Sequence, residues 1–425
     1  MLVSSSSSSR LRAPLSLARE ARRRALHHVV FFGSDEVSCA TLERLAAMRR
    51  RGALARLDVV CPSDRPQGRG RALAMLPAKQ LAVRCVAAGD VASIIEVPPL
   101  PPPQAPAAGP AAAAAAASAP APRRLDLASD AQWPGGLARL RALRADVGVV
   151  VSFGYFLPPA LLDCFSRGGA LNMHPSLLPR HRGAAPVAHT ILCGDAETGV
   201  SIVDVHRDRF DAGALLRQER GVRVGADEGA DALTARLAAL GAEAVEAVLL
   251  DLDGHAARAA PQDERLATRA PKLRADQALV SAARLGLGLG RDLGLGLDLV
   301  EPAALSRLVR ALAGGIGCHG FIAAPAADGG AAADGGAAAA LPPRRVKLLD
   351  VGPEAAPEPP PASAGPGPAP LPGAFAFDAP RRALLLRCAR GWAHVRRLQP
   401  EFKAPMRGED FARGLRGGSA MPRLL

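Results

Sequence analysis

The chain has 425 residues, 49% of them hydrophobic by composition, seven cysteines and a formal net charge of +13. That length allows two or three domains, and two compact ones fit better because tracts of alanine, proline and glycine count as apolar without packing. No apolar stretch is long enough to cross a bilayer, and scattered cysteines without a CxxC pair exclude a disulfide framework and a zinc site in favour of free thiols in a reducing compartment.

Residues 1–26 hold Arg10, Arg12, Arg19, Arg22, Arg23 and Arg24, a serine run and a single acid, Glu20. This is the composition of an organellar transit peptide, with a disordered basic tail as the alternative. Without it the charge stays near about +8, so an acidic partner fits, although arginine content alone favours nucleic acid only weakly.

The apolar run 28–32 ends at Gly33 and predicts a strand, followed by a helix over 39–50 through Leu42, Leu45 and Met48. Strands are predicted at 57–61 and 93–97 with a helix at 77–87 between them, then a helix at 137–143 leading into a strand at 147–153. Apolar strands alternating with helices predict a Rossmann-like parallel α/β sheet over residues 27–252. The Pro/Ala tract 98–122 reads as a disordered insertion in that domain. Further on come a strand at 170–173, a helix at 185–192, a strand at 199–205, an extended return at 214–220 and a long helix at 230–252.

Residues 253–272 read as a linker to a second region, 273–425. There a helix at 301–313 precedes alternating strands at 345–351, 374–377, 383–388 and 393–398, the pattern of a small β-barrel. The low-complexity stretches 323–343 and 352–373 are expected to be long loops, and the Gly-Leu repeat at 285–299 a loop as well.

Chemistry concentrates at 171–186, LNMHPSLLPRHRGAAP. Asn172 and His174 leave one face of a strand, and Pro175 ends that strand. At the carboxyl edge of a parallel sheet, an amide and an imidazole can stabilise an oxyanion and shuttle a proton. Spacing alone equally fits a buried pair that ties down the loop. Asp211, in Phe210-Asp211-Ala212-Gly213, is the candidate carboxylate, and Gly213 would permit a tight backbone approach. Taken singly, Asp211 reads more readily as an Asx turn. The loop 175–183 exposes Arg180 and Arg182, which remain open between ligand contact and loop support. The run VVVSFGYFLP at 149–158 can line a planar heterocycle, apolar core being the commoner fate. The loop DRPQGRGR at 64–71 places Arg65, Arg69 and Arg71 among glycines, a weak phosphate-binding signal.

FFGSDE, DRPQGRGR, VVSFGYFLP, NMHPSLLPRHRGAAP, GDAETGVSI and RFDAG occur in one order along the chain. In that combination it resembles the methionyl-tRNA formyltransferases, most nearly the mitochondrial form. ATRAPK at 267–272 and the closing LLLRCARGWAHVRRLQPEFKAPMRGEDFARG resemble the carboxyl-terminal domain of the tRNA enzymes, an OB-type barrel that helps hold the tRNA. The resemblance implies transfer of the formyl group of 10-formyltetrahydrofolate to the methionine α-amine of initiator Met-tRNA, with no metal. It implies a catalytic set of Asn172, His174 and Asp211. Ser176, Leu177, Leu178 and Pro179, with Phe153, Gly154 and Leu157, would contact the folate, and Arg65, Arg69 and Arg71 the tRNA. His181 departs from the family, where an aromatic is usual, and Val37-Ser38 and Phe402 depart as well. The expected setting is the mitochondrial matrix rather than a plastid, as a monomer with no membrane and no obligate protein partner. A formyltransferase acting on a small amine and a non-enzymatic tRNA-binding derivative are the rival readings.

Overall fold

The computed structural model describes residues 28–67, 72–99, 127–287, 299, 301–322, 343–356, 370–414 and 422–425. The leader 1–26, most of the Pro/Ala insertion, Arg69 and Arg71 lie outside these residues.

The strands β1 (His28–Gly33), β2 (Arg56–Pro62), β5 (Ser93–Val97), β6 (Val147–Val151), β7 (Ala170–His174), β8 (Glu197–Asp204) and β9 (Leu215–Arg223) form one sheet in the order β5-β2-β1-β6-β7-β8-β9. A short hairpin, β3 (Arg65–Gln67) with β4 (Ala72–Ala74), stands apart from it. Val29 and Phe31 of β1 pack into one hydrophobic cluster, Val30 and Phe32 into another. The strand is thus buried on both faces, which is why its sequence is an unbroken apolar run. Helices α1 (Glu36–Arg50), α2 (Pro77–Ala87) and α3 (Gly136–Leu143) belong to this half, followed by α4 (Pro186–Cys193) and α5 (Ala230–Leu250).

The sheet is mostly rather than wholly parallel. β8 pairs antiparallel with β7, and β9 antiparallel with β8. The connection 205–214 is shorter than the dozen or so residues that a parallel crossover needs, so β9 can only turn back. Chain order reverses between β1 and β6, which places the switch point of the sheet there, at the carboxyl ends where such folds bind ligands.

The opposite, amino-end edge carries a stabilising cluster. Asp58 is fully buried and accepts from His28 Nε2 at 2.6 Å, Arg56 Nε at 2.7 Å and Ser93 Oγ at 2.5 Å. Burial pushes this carboxyl up, but the hydrogen bonds from His28, Arg56 and Ser93 outweigh it and hold it at about 2. The folded state therefore prefers ionised Asp58. The associated stability, roughly 2 kcal/mol, is complete above the ordinary carboxylate range and is lost as pH falls from about 4 towards 2. Asp58→Ala strands the partners of a buried charge and is expected to cost about 3–5 kcal/mol, read by urea unfolding at pH 7. A parent-like midpoint would contradict this.

The second region begins with α6 (Pro302–Leu312), which packs against α4 and against β11 (Arg344–Ala356), with Ser306 Oγ donating to Val351 O at 2.7 Å. The antiparallel sheet runs β10 (Cys318–Ile322), β11, β14 (Gly391–Pro400), β13 (Ala383–Cys388), β12 (Phe375–Asp378), with β15 (Met406–Arg407) on β14. Residues 422–425 stitch its edges together. Ile322 bridges Leu424, Ala374 bridges Arg423, and Leu425 N donates to Phe321 O at 2.8 Å. The sheet is thus closed as a small β-barrel.

β10 and this seam have no counterpart among the predicted elements. β11 also runs to Ala356, because Ala355 and Ala356 pair with Ala393 and Trp392, so part of the expected loop after residue 351 is strand. Residues 282–287, partly assigned to a loop, form a short helix.

Candidate active site

Asn172 and His174 sit at the carboxyl end of β7, and Asp211 reaches them from the turn between β8 and β9. Asp211 Oδ1 accepts from Asn172 Nδ2 at 2.9 Å and lies 3.5 Å from His174 Nδ1. Its Oδ2 accepts from the Gly183 backbone N–H at 2.9 Å. The Asn172 and His174 side chains thus meet on the Asp211 carboxylate.

The turn that brings Asp211 inward depends on Gly213, where a Cβ would stand 1.8 Å from the Asp204 carbonyl oxygen. Asp211 itself has φ 53°, a conformation that aspartate tolerates better than most side chains. Gly183 has φ +129°, and a Cβ there would meet the Ala270 carbonyl at 2.6 Å.

His174 is buried, and its Nε2 lies 2.9 Å from the His181 carbonyl oxygen. A carbonyl only accepts, so Nε2 carries the hydrogen and Nδ1 faces Asp211. The carbonyl is held in turn by a rigid loop. His181 has φ 63°, its N–H donates to Thr268 Oγ1 at 2.8 Å, and its ring Nε2 lies 2.7 Å from Asp195 Oδ2. Arg180 also pairs with Asp195, at 2.6 Å. Arg182 pairs with Gln262 and Glu264, and both arginines therefore support the loop in this structure. Ser201 Oγ donates to Ser176 O at 2.7 Å and accepts from Leu178 N at 3.0 Å, and the Leu178–Pro179 peptide is cis.

The residues expected to face the folate divide by exposure. Ser176 is fully buried with its hydroxyl donating to Arg180 O, Leu178 is buried too, and Leu177 and Pro179 are partly exposed. Phe153 packs on Phe32 and Tyr155 at 5.3 and 5.0 Å between ring centres, and Leu157 joins the same cluster. Gly154 lies exposed at the end of β6 with φ +80° and open space where a Cβ would be. The side chains of Ser176, Leu178, Phe153 and Leu157 are therefore buried, leaving Gly154, Leu177 and Pro179 to offer surface. Arg65 lies in β3 of the separate hairpin, outside the sheet that carries Asn172 and His174.

Sequence reasoning missed four groups that complete the site: Asp195, Gln262, Glu264 and Thr268. The last three lie in 253–272, read as a linker, yet that segment pairs with the catalytic loop through an Arg182–Arg269 bridge and with β9 through Leu215–Ala260. At the switch point, Ser34 Oγ donates to Ser152 O and Ser152 Oγ to Asp35, tying the ends of β1 and β6 together. Burial pushes the Asp35 carboxyl up against the hydrogen bonds that it accepts from Ser152, Ser38 and Val37.

An amide, an imidazole and a carboxylate converging at the carboxyl edge of an α/β sheet are the groups that acyl transfer requires. The family model described as formyl transferase matches residues 27–249, more than half of the chain. A methionyl-tRNA formyltransferase of Acidithiobacillus ferrooxidans is 32% identical over 91% of this chain and 96% of its own length. One from Geobacter metallireducens is 32% identical over 59% of this chain and 67% of its own. Among solved structures, HypX from Aquifex aeolicus, in complex with tetrahydrofolic acid, aligns with a TM-score of 0.47 at 12% identity, covering 92% of this chain and 48% of that one. The chain belongs to the formyl transferase family, among the methionyl-tRNA formyltransferases.

Proposed function

We propose that this enzyme transfers the formyl group of 10-formyltetrahydrofolate to the α-amine of methionine carried on initiator tRNA, by direct attack. The observation that carries the reading is the convergence of Asn172 and His174 on Asp211, 2.9 and 3.5 Å away. Open space at Gly154, next to the buried Phe153 and close to Leu157 in sequence, suits the flat pterin of the donor. When bound, the donor supplies an electrophilic formyl carbon.

Asn172 holds one amide hydrogen on Asp211, which leaves the second N–H for the formyl oxygen as negative charge develops there. His174 offers Nδ1 on the same side, and a proton at that atom adds a second donor. Asp211, anchored by the Gly183 N–H, keeps the imidazole oriented and accepts the proton that the amine loses as the new N–C bond forms. That proton returns to the donor nitrogen when its bond to the formyl carbon breaks, giving formylmethionyl-tRNA and tetrahydrofolate.

The basic composition supports a nucleic-acid substrate, and the second, barrel-forming region supports tRNA holding. Formylation of charged initiator tRNA is expected to lose affinity steeply between about 50 and 200 mM salt, as for binding through several phosphate contacts. A salt-insensitive KM, or equal turnover of free methionine, would favour the small-amine reading. The proposed compartment is the mitochondrial matrix: the arginine and serine content of residues 1–26 supports an organelle, and the resemblance to the mitochondrial form supports mitochondrion over plastid. Import of a reporter fused to those residues tests it, and a reporter left in the cytosol would contradict it.

A further inference from the structure

Gln262 lies in the segment that joins the two domains, about 50 residues from Asp211 and 80 from Arg182 along the chain. It is 9% exposed, and all its amide contacts are to the loops that carry the catalytic groups. Nε2 donates to Asp211 O and to Gly213 O, both at 2.8 Å. Oε1 accepts from Arg182 Nε at 3.0 Å and Arg182 Nη2 at 2.7 Å.

We infer that Gln262 is a positioning residue for formyl transfer, a single buried amide that locks the Asp211 turn to the His181–Gly183 segment. The chemistry of the contact requires a primary amide. One end must donate twice, to two carbonyls that can only accept, and the other must accept from a guanidinium that can only donate. Glutamate would serve Arg182 but set a carboxylate oxygen against both carbonyls. Methionine would fill the space and make neither set of bonds.

Each side of the clamp touches a different catalytic group. On one side is the backbone of Asp211, in its φ 53° conformation. On the other, Arg182 lies between His181, whose carbonyl fixes His174 Nε2, and Gly183, whose N–H fixes Asp211 Oδ2. Gln262 touches neither the amide of Asn172 nor the imidazole of His174, so its influence runs through the backbone that sets their carboxylate. The Arg182–Glu264 pair at 2.9 Å braces the guanidinium from the solvent side.

The inference rests on the formyl-transfer reading, and a mutant cycle on the full chain separates the two. Gln262→Met is expected to lower kcat about 10- to 100-fold with KM for both substrates within about threefold of the parent. In an Asp211→Asn background the same change should cost no more than about threefold, because the group being positioned is already disabled. Gln262→Glu keeps the partner of Arg182, and with it a route to a folded protein, and should still lower kcat at least about tenfold.

Imidazole nitrogen spectra, with His174 assigned through His174→Gln, supply a readout that does not depend on turnover. The parent should show a single Nε2–H form and Gln262→Met a mixture. Multiplicative losses in the cycle, a parent-like kcat for Gln262→Glu, or an unchanged His174 tautomer in Gln262→Met would each overturn the clamp. An inactive parent with the tautomer shift intact would instead count against formyl transfer and leave the clamp supported.

Discussion

His174→Ala is expected to lower kcat for formylation of methionyl-tRNA about 1000-fold, with little change in thermal midpoint or in tRNA affinity. The ring sits at the strand end with Nε2 committed to the His181 carbonyl and Nδ1 turned to the reacting side. Removing it deletes an oxyanion donor and the imidazole that Asp211 orients. The fold should tolerate the loss, because the surrounding loop is held by bonds that do not involve the ring: Ser201 to Ser176 and Leu178, His181 N to Thr268, and Arg182 to Gln262. A variant with at least about a tenth of the parental kcat would remove His174 from the chemistry.

Asp211→Asn is the second large effect, with an expected loss in kcat of about 100- to 1000-fold despite an almost unchanged shape. Both carboxylate oxygens face donors, Oδ1 the Asn172 amide and Oδ2 the Gly183 N–H. An asparagine must turn its NH2 towards one of them. Either rotamer sets donor against donor, releasing the Asn172 amide or the loop backbone, and also removes the charge that faces His174 Nδ1. Single-turnover measurement at saturating tRNA isolates this from binding. A rate within about threefold of the parent would show that the carboxylate charge is not used.

Much of this was legible because it follows from local patterns. Runs such as His28–Gly33 and Val147–Val151 are apolar without alternation because both of their faces are buried, and that signature of central parallel strands survives in a single sequence. Asn172 and His174 were legible as a pair because a two-residue step on a strand fixes a shared face. Gly213 marked the tight turn beside Asp211, and the 1.8 Å approach to Asp204 is the physical reason for it.

What escaped depends on contacts distant in sequence. The turn-back of β9 on β8 is set by a connection too short to cross over, and the antiparallel pairing of β8 with β7 is a choice of direction across the sheet, neither of which apolar content reveals. β10 carries His319 and Gly320 in a run of only five residues, and its pairing through Leu424 lies about 100 residues away. Gln262 and Thr268 stand in a polar stretch whose composition reads as linker, and only folding shows them against Asp211, Arg182 and His181. Ser176 and Leu178 carry a family motif, yet their side chains point into the loop interior, so motif membership did not predict exposure.

The most direct test of the account follows a labelled formyl group from 10-formyltetrahydrofolate, using the full chain and methionyl initiator tRNA, with Asp211→Asn alongside. The account predicts label on the methionine α-nitrogen at a catalytic rate for the parent, with the variant reduced about 100-fold or more. Absence of transfer by folded parent protein, or equal transfer by Asp211→Asn, would contradict it.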